Sequence, residues 1–380
     1  MTARPAGWPD RWRGGSLYRA GPASKAQHKN STTQHKSTAP SSRGLGRRPL
    51  KAVTPVRIRS GLRQPFPVRR PRPRGISNLG LSIAVTTERA TGQARGKGVS
   101  VRTEEPLSEH AQRVARTYGA AADHYSLDAL SFWDRFGTAT VSRLPLAAGD
   151  SVLDLCCGAG ASAIPAARAV GAGGRVLGID VAGPLLELAR AKAARQGLAN
   201  VEFRRGDATC TGLPGGGFDG VICVFGVFFA ADMTAFMREM WRLVAPGGVL
   251  AVTTWGPGLF EPAGNQFWEC VREVEPSLYK AFNPWDEITT PEALGGLFSR
   301  AGVPHPAVVA APALHQLEHP DSFWDVVLGT GYRATVDALS PAQRDRVREH
   351  LLSELRSQKI TTLRTDVVFG TAARSVCGVA

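Results

Sequence analysis

Between Ser151 and Trp255 the chain alternates short apolar runs with helix-length segments, and that alternation admits few folds. The runs Ser151–Leu155, Arg175–Ile179, Val201–Arg205, Gly220–Val224 and Val249–Trp255 have the length and β-branched content of strands. Between them the spacing predicts a helix around Ser162–Val170 and a second opened by Pro184 and closed before Gly197. A third follows Asp232, a good N-cap, with Met233, Phe236, Met237, Met240, Trp241 and Val244 on one face; Pro246-Gly-Gly248 is read as its stop. Strands joined by helical crossovers imply an α/β fold, a parallel doubly wound sheet with helices on both faces. Downstream, Pro341–Ser357 reads as a helix with Pro at its first position, and Leu363–Phe369 as a late strand completing the sheet. Residues 258–360 exceed what crossovers need, so part of that stretch is expected to cap the site.

Upstream, order is expected to begin near Ser108. Ala111, Val114, Ala115 and Tyr118 recur at i, i+3, i+4 and i+7, the stripe of an amphipathic helix. A second helical stretch, Leu127–Leu144, carries Phe132, Trp133 and Phe136. Residues 1–105 differ in kind. They hold 22 Lys and Arg against 4 Asp and Glu, while the other 275 residues hold 24 against 28. The overall +14 therefore belongs to this segment and says nothing of a basic catalytic surface. Rich in Arg, Pro, Ser and Gly, it cannot bury enough apolar area to offset its ordering entropy and is expected to be disordered. A targeting peptide, a nucleic-acid-binding arm and a non-functional extension, read from a start placed too early, all fit that composition.

The chemistry lies at the first strand's end, in Val152-Leu-Asp-Leu-Cys-Cys-Gly-Ala-Gly160. Glycines there allow a tight turn and bring backbone N–H groups up to a ligand. Asp180 ends the second strand, placed to accept from a ribose diol, so a nucleotide-like ligand is expected at the carboxyl ends of the strands. Gly158-Ala-Gly160-Ala-Ser-Ala163 also fits the loose dinucleotide pattern G-x-G-x-x-A. Against an NAD(P) enzyme stand the in-strand carboxylate of Asp154, a second acidic turn at Gly206-Asp207-Ala208, and no Tyr-x-x-x-Lys pair after the fourth strand.

With VLDLCCGAG, GID at Gly178–Asp180, GDA at Gly206–Ala208, LPGGGFDGVICVFGVFF at Leu213–Phe229 and LVAPGGVLAV at Leu243–Val252 in order, Ser108–Trp255 resembles the class I S-adenosylmethionine-dependent methyltransferases. Within them it is similar to the type 11 group, which includes the ubiquinone and menaquinone biosynthesis enzymes. The resemblance implies a Rossmann-like, seven-stranded, mostly parallel sheet under an N-terminal helical lid, with S-adenosyl-L-methionine as cofactor. It implies that Asp154 and the turn from Cys156 through Gly158 to Gly160 hold the methionine part. Asp180 would bind the ribose with Val181 beside the adenine, and Asp207 and Ala208 would accept from and donate to the adenine edge. Val224 and Phe225 would face cofactor and substrate, Tyr118 and Tyr125 would belong to the lid, and Tyr125, Phe228 and Phe229 would line the acceptor pocket. Cys156 stands where the family more often has glycine. Plainer readings stay open: Asp207 as a turn residue, Tyr118 as helix core, Phe225, Phe228 and Phe229 as strand-end packing.

Other chemistries find less support. His315-Gln-Leu-Glu-His319 matches a zinc-protease pattern that needs both histidines on one helical face, yet this Pro-rich apolar stretch reads as a strand; no metal is expected. The six cysteines show no C-x-x-C spacing, which points to a reducing compartment and a cytoplasmic protein, or an organellar one if residues 1–105 are a transit peptide. No apolar run is long enough to span a membrane. Base-methylating enzymes carry an [DNS]-P-P-[YFW] tetrad after the fourth strand, where this chain has Val224-Phe-Gly-Val-Phe-Phe229; the acceptor is therefore expected to be a small, largely apolar molecule and not a nucleic acid. An O or C acceptor needs a base, for which His124 in the lid region is the candidate. The reading is a small-molecule methyltransferase. Its rivals are an NAD(P)-dependent oxidoreductase and a non-catalytic binding protein of the same fold.

Overall fold

The computed structural model describes residues 107–376; the expectations for residues 1–105 lie outside the described residues. The chain enters through α1 (Glu109–Ala121), capped by Ser108, whose Oγ accepts from the Ala111 N–H at 3.1 Å. The expected single helix over 127–144 is instead a 3₁₀ turn at Asp128–Leu130 followed by α2 (Phe132–Val141). The break comes from a distant partner: the Ala129 carbonyl bonds His315 Nε2 at 2.9 Å rather than entering a helical ladder. Next come β1 (Ser151–Leu155), α3 (Ala163–Val170), β2 (Arg175–Asp180), α4 (Gly183–Arg195), β3 (Val201–Arg205), β4 (Phe218–Val224) and α5 (Met233–Leu243). These elements fall within two residues of the sequence reading at each end.

The stop after α5 differs from expectation. The helix ends at Leu243, and β5 (Val244–Trp255) runs through Pro246-Gly-Gly248, which form a bulge rather than the stop. Val244 pairs Phe218 and Val249 pairs Gly220, so the extra residues loop out, with Gly247 at φ +76° and Arg374 Nη1 donating to the Val244 carbonyl at 2.6 Å. There follow α6 (Ala263–Val274), α7 (Pro291–Arg300), β6 (Ala307–Ala311), β7 (Leu314–Gln316), α8 (Phe323–Leu328), α9 (Arg333–Val336) and α10 (Pro341–Ser357). The single late strand expected over Leu363–Phe369 is two: β8 (Thr362–Arg364) pairs β7 in a small antiparallel sheet, and β9 (Val367–Ala373) joins the main one.

The main sheet has seven strands in the order β3-β2-β1-β4-β5-β9-β6; β9 runs antiparallel to both neighbours and the other neighbouring pairs are parallel. Strand order reverses between β1 and β4, the switch point where α/β sheets bind ligands. Alternation along the strands sorts the two faces. Val152, Val176, Ile222 and Ala251 pack under α3 and α4, whereas Leu153, Leu155, Val221, Cys223, Leu250 and Val252 join the larger core with α5 and α7. Among the described residues no helix is long and apolar enough to cross a membrane.

Candidate functional site

At the carboxyl end of β1 the backbone must turn back sharply to start α3. Cys156 (φ +58°), Gly158 (φ +50°) and Gly160 (φ +83°) all take left-handed conformations there, two at no steric cost and one, Cys156, with a side chain. The turn is tied to β2: Cys157 N–H donates to the Ile179 carbonyl at 3.1 Å and Gly158 N–H to Asp180 Oδ2 at 2.9 Å. Asp180 Oδ1 accepts from Ala182 N–H at 2.8 Å, so this carboxylate joins the glycine turn to the start of α4. Burial pushes its pKa up, and the backbone donors oppose the shift. A carboxylate has about four lone-pair sites, so the group keeps acceptor capacity for a hydroxyl.

Above this turn lies a cavity of about 670 Å³, within the range of small-molecule sites, roughly 300–1,000 Å³. Of the residues singled out from the sequence for the cofactor, Tyr118, Cys156, Gly158, Asp180, Val181, Asp207, Ala208, Val224 and Phe225 line it. Tyr125 and Phe229, expected on the acceptor side, line it too. Asp207 Oδ1 accepts from Thr209 N–H (2.8 Å) and Thr209 Oγ1 (2.6 Å), a turn-forming arrangement that leaves Oδ2 for a donor in the cavity. Thus Asp207 fits the plain turn reading and the ligand reading together.

Four expected site residues lie elsewhere. Asp154 is fully buried on β1 and does not face the cavity. It shares the parity of Val152, so its carboxylate points into the α3 layer, where Oδ2 accepts from Ser162 Oγ at 2.7 Å. Oδ1 has no hydrogen-bond partner among the described residues, and burial raises the carboxyl pKa to about 7. Asp154 therefore braces the glycine turn from behind. Gly160 packs away from the cavity, with Ile164 and Ala189 within 3.4 Å of where a β-carbon would stand. His124 is turned toward α8, its Nδ1 3.4 Å from Asp325 Oδ1, so the candidate base is not on the cavity wall. Phe228 is core, against Phe229 and Trp285, as its plainer reading had it.

The lid aromatics are held by neighbouring rings. Tyr118 meets Phe229 edge-on at 5.3 Å, and Tyr125 stacks on Trp133 at 5.8 Å. Burial raises the pKa of both tyrosine hydroxyls, keeping them neutral. Phe225, itself at φ +54°, stacks face to face on Trp255 at 3.8 Å. Beside it Gly226 is obligatory: a β-carbon there would stand 2.5 Å from Cys156 Cβ and 2.8 Å from the sulfurs of Cys156 and Cys223. The Cys156 thiol is hydrogen-bonded to Cys223, and that bond, with burial, pushes its pKa well up.

Sequence reasoning missed His110, Trp133 and Gly226 as cavity residues. Trp133 was legible as an aromatic of the second helical stretch, though not as a wall. His110 sits one residue before the apolar stripe of α1, and nothing in a periodicity argument marks it. The two histidines of the zinc-like motif part company: His315 lies on β7 facing Ala129, and His319 Nδ1 meets Ser322 Oγ at 2.5 Å.

The profile of a methyltransferase domain matches residues 152–248. The demethylmenaquinone methyltransferase of Lactococcus lactis subsp. lactis (strain IL1403) is 34% identical over 151 residues, 39% of this chain and 59% of that protein. Nocamycin O-methyltransferase of Saccharothrix syringae is 30% identical over 184 residues, covering 48% and 59%. The aklanonic acid methyltransferase DauC of Streptomyces sp. (strain C5) is 31% identical over 147 residues, covering 39% and 67%. The chain thus spans about six tenths to two thirds of these relatives' length. The aligned region holds the glycine turn, Asp180 and Asp207 on which the cavity is built, and the chain belongs to the class I S-adenosylmethionine-dependent methyltransferases.

Proposed function

We propose that this chain transfers a methyl group from S-adenosylmethionine to an oxygen, nitrogen or carbon atom of a small, largely apolar acceptor such as a quinone, a lipid-like molecule or a secondary metabolite. The observation that carries the reading is one cavity with two differently built parts. Asp180, Asp207 and the Gly158 turn offer polar groups suited to a nucleoside, whereas Phe225, Phe229 and Tyr125 offer rings. Relatives named for demethylmenaquinone, nocamycin and aklanonic acid support a small acceptor.

In this reading the bound cofactor supplies a sulfonium-activated methyl group. The chain's own residues position and enclose. The Gly158 turn holds the methionine end, Asp180 the ribose hydroxyls with Val181 beside the base, and Asp207 with Ala208 the adenine edge. Tyr118 and Tyr125, on the lid, exclude water. Much of the acceleration comes from holding acceptor and methyl in line, an effect worth up to about 7–11 kcal/mol in well-oriented systems. Residues 106–380 form the catalytic domain in this proposal, and part of 258–360 caps it; the chain works in the cytoplasm, on a free metabolite and without nucleic acid.

Calorimetry with S-adenosylmethionine, its demethylated product and NAD(H), followed by turnover on a metabolite extract, tests the proposal. Binding of the first two and a mass gain of one methylene in an extract component are expected. Binding of NAD(H) alone would replace the reading with an oxidoreductase; binding without turnover would leave a non-catalytic cofactor-binding protein.

A further inference from the structure

The cavity changes character where the end of β1 meets the end of β4. On one side stand the Gly158 turn and Asp180, on the other Phe225, Gly226 and Phe229. Cys156 lies at the junction. Leu155 pairs Cys223 in parallel register, so the two strands deliver Cys156 and Val224 to the cavity wall at the same level. The Cys156 side chain is fixed there. A β-carbon on Gly226 would stand 2.5 Å from Cys156 Cβ and 2.8 Å from its Sγ, so the thiol lies against the bare backbone of Gly226, itself a cavity residue. Of the two hydrogen-bonded thiols, that of Cys223 is fully buried, whereas Cys156 is half-buried and lines the cavity. Cys156 also holds φ +58° despite its β-carbon. Such backbone outliers persist where the surroundings impose them, and they collect at ligand sites.

We propose that the Cys156 side chain sets the size of the alkyl group the donor site admits on a sulfonium, restricting it to methyl. The assignment rests on the methyl-transfer reading above. In that reading the methionine end sits on the Gly158 turn and the ribose on Asp180, so the sulfonium that joins them falls between the two. Its alkyl group then faces the ring-lined half, across the junction that Cys156 occupies. A thiol held there by Cys223 and Gly226 takes the space that a second alkyl carbon would need, and glycine at the same position would leave it open. One surplus methylene in a close-fitting pocket is worth about 10–200-fold in discrimination. The bond to Cys223 and burial keep the thiol protonated, so it bounds the methyl group without attacking it.

The test is calorimetry on the full chain and its Cys156→Ala and Cys156→Gly variants with S-adenosyl-L-methionine, S-adenosyl-L-ethionine and S-adenosylhomocysteine. The first two differ by a single methylene on sulfur. The third carries no alkyl group there, so its affinity reports on the turn alone. Glycine suits the left-handed backbone of this position, and alanine keeps the β-carbon and the backbone strain while lacking the sulfur. Wild type is expected to bind the ethyl donor about 10–200-fold more weakly than the methyl donor. That ratio should shrink by about tenfold or more in Cys156→Gly, with Cys156→Ala between. Near-equal binding of the two donors by wild type would overturn the assignment. So would one and the same ratio in all three proteins, including a parallel loss of affinity for every ligand, which marks a thiol that only packs the turn. Binding of none of the three ligands by wild type is a separate result: it would remove the methyltransferase reading, and this assignment with it.

Discussion

At the scale of single residues, the site is built by accommodation around one unusual side chain. Cys156 occupies a left-handed position that favours glycine, and the room for its sulfur is made by Gly226 and shared with Cys223. Gly226→Ala should therefore overpack the turn and cost about 1–3 kcal/mol in urea melts. Adding Cys156→Gly should recover part of that loss, with a coupling of at least about 0.5 kcal/mol; strictly additive losses would show that the two positions do not contend for the same space. Asp154 supplies a second prediction. Its pKa of about 7 when folded exceeds the value near 3.9 of an unfolded chain, so between them the folded state holds the extra proton. Stability should then fall as pH rises from about 4 to about 7 and level off above, by roughly 4 kcal/mol at most. Asp154→Asn should flatten that slope, and parallel slopes for wild type and variant would refute the buried, half-satisfied carboxyl. The residue types of this turn were legible in the sequence; their directions were not. Asp154 and Cys156 are two positions apart, yet strand alternation sends the first into the helix layer and the turn sends the second to the cavity.

Among the elements, the lid is where local reasoning reached least far. The stripe of Ala111, Val114 and Tyr118 announces α1, but the break between residues 127 and 132 is imposed from a distance. His315 takes the Ala129 carbonyl, and Arg135 spans from α2 to the Leu314 carbonyl (2.8 Å) and Thr365 Oγ1 (3.0 Å). Nothing near Leu127 foretells a partner more than 180 residues away. The same holds for the late strand, split where Thr365 and Asp366 carry the chain from β8 to β9. By contrast β1, β3 and α10 were legible to the residue, because period, cap and flanking glycine or proline agree there. Arg135→Ala should cut the tie between α2 and the small sheet, lowering stability by about 1–3 kcal/mol and weakening cofactor binding through the lid. Unchanged melts and unchanged calorimetry would show that the lid is held by its aromatic contacts alone.

For the whole molecule, the sheet order β3-β2-β1-β4 is what gathers residues from 108 to 236 into one cavity. The switch point between β1 and β4 puts the glycine turn beside the last residues of β4, with Asp180 on β2 one strand away. This much followed from the alternation of strands and helices. The wall between α1 and the turn after β4 did not, because the two are far apart in the sequence and meet only in the fold. The account stands most directly on the nucleotide half of the cavity. Titration of residues 106–380 with S-adenosylmethionine, for wild type and Asp180→Ala, measures it in one experiment. The account predicts saturable one-site binding by the wild-type domain without residues 1–105, and a loss of about 100-fold in the variant, as removal of two hydrogen bonds to a charged group requires. Equal affinity of the two proteins for S-adenosylmethionine would contradict it.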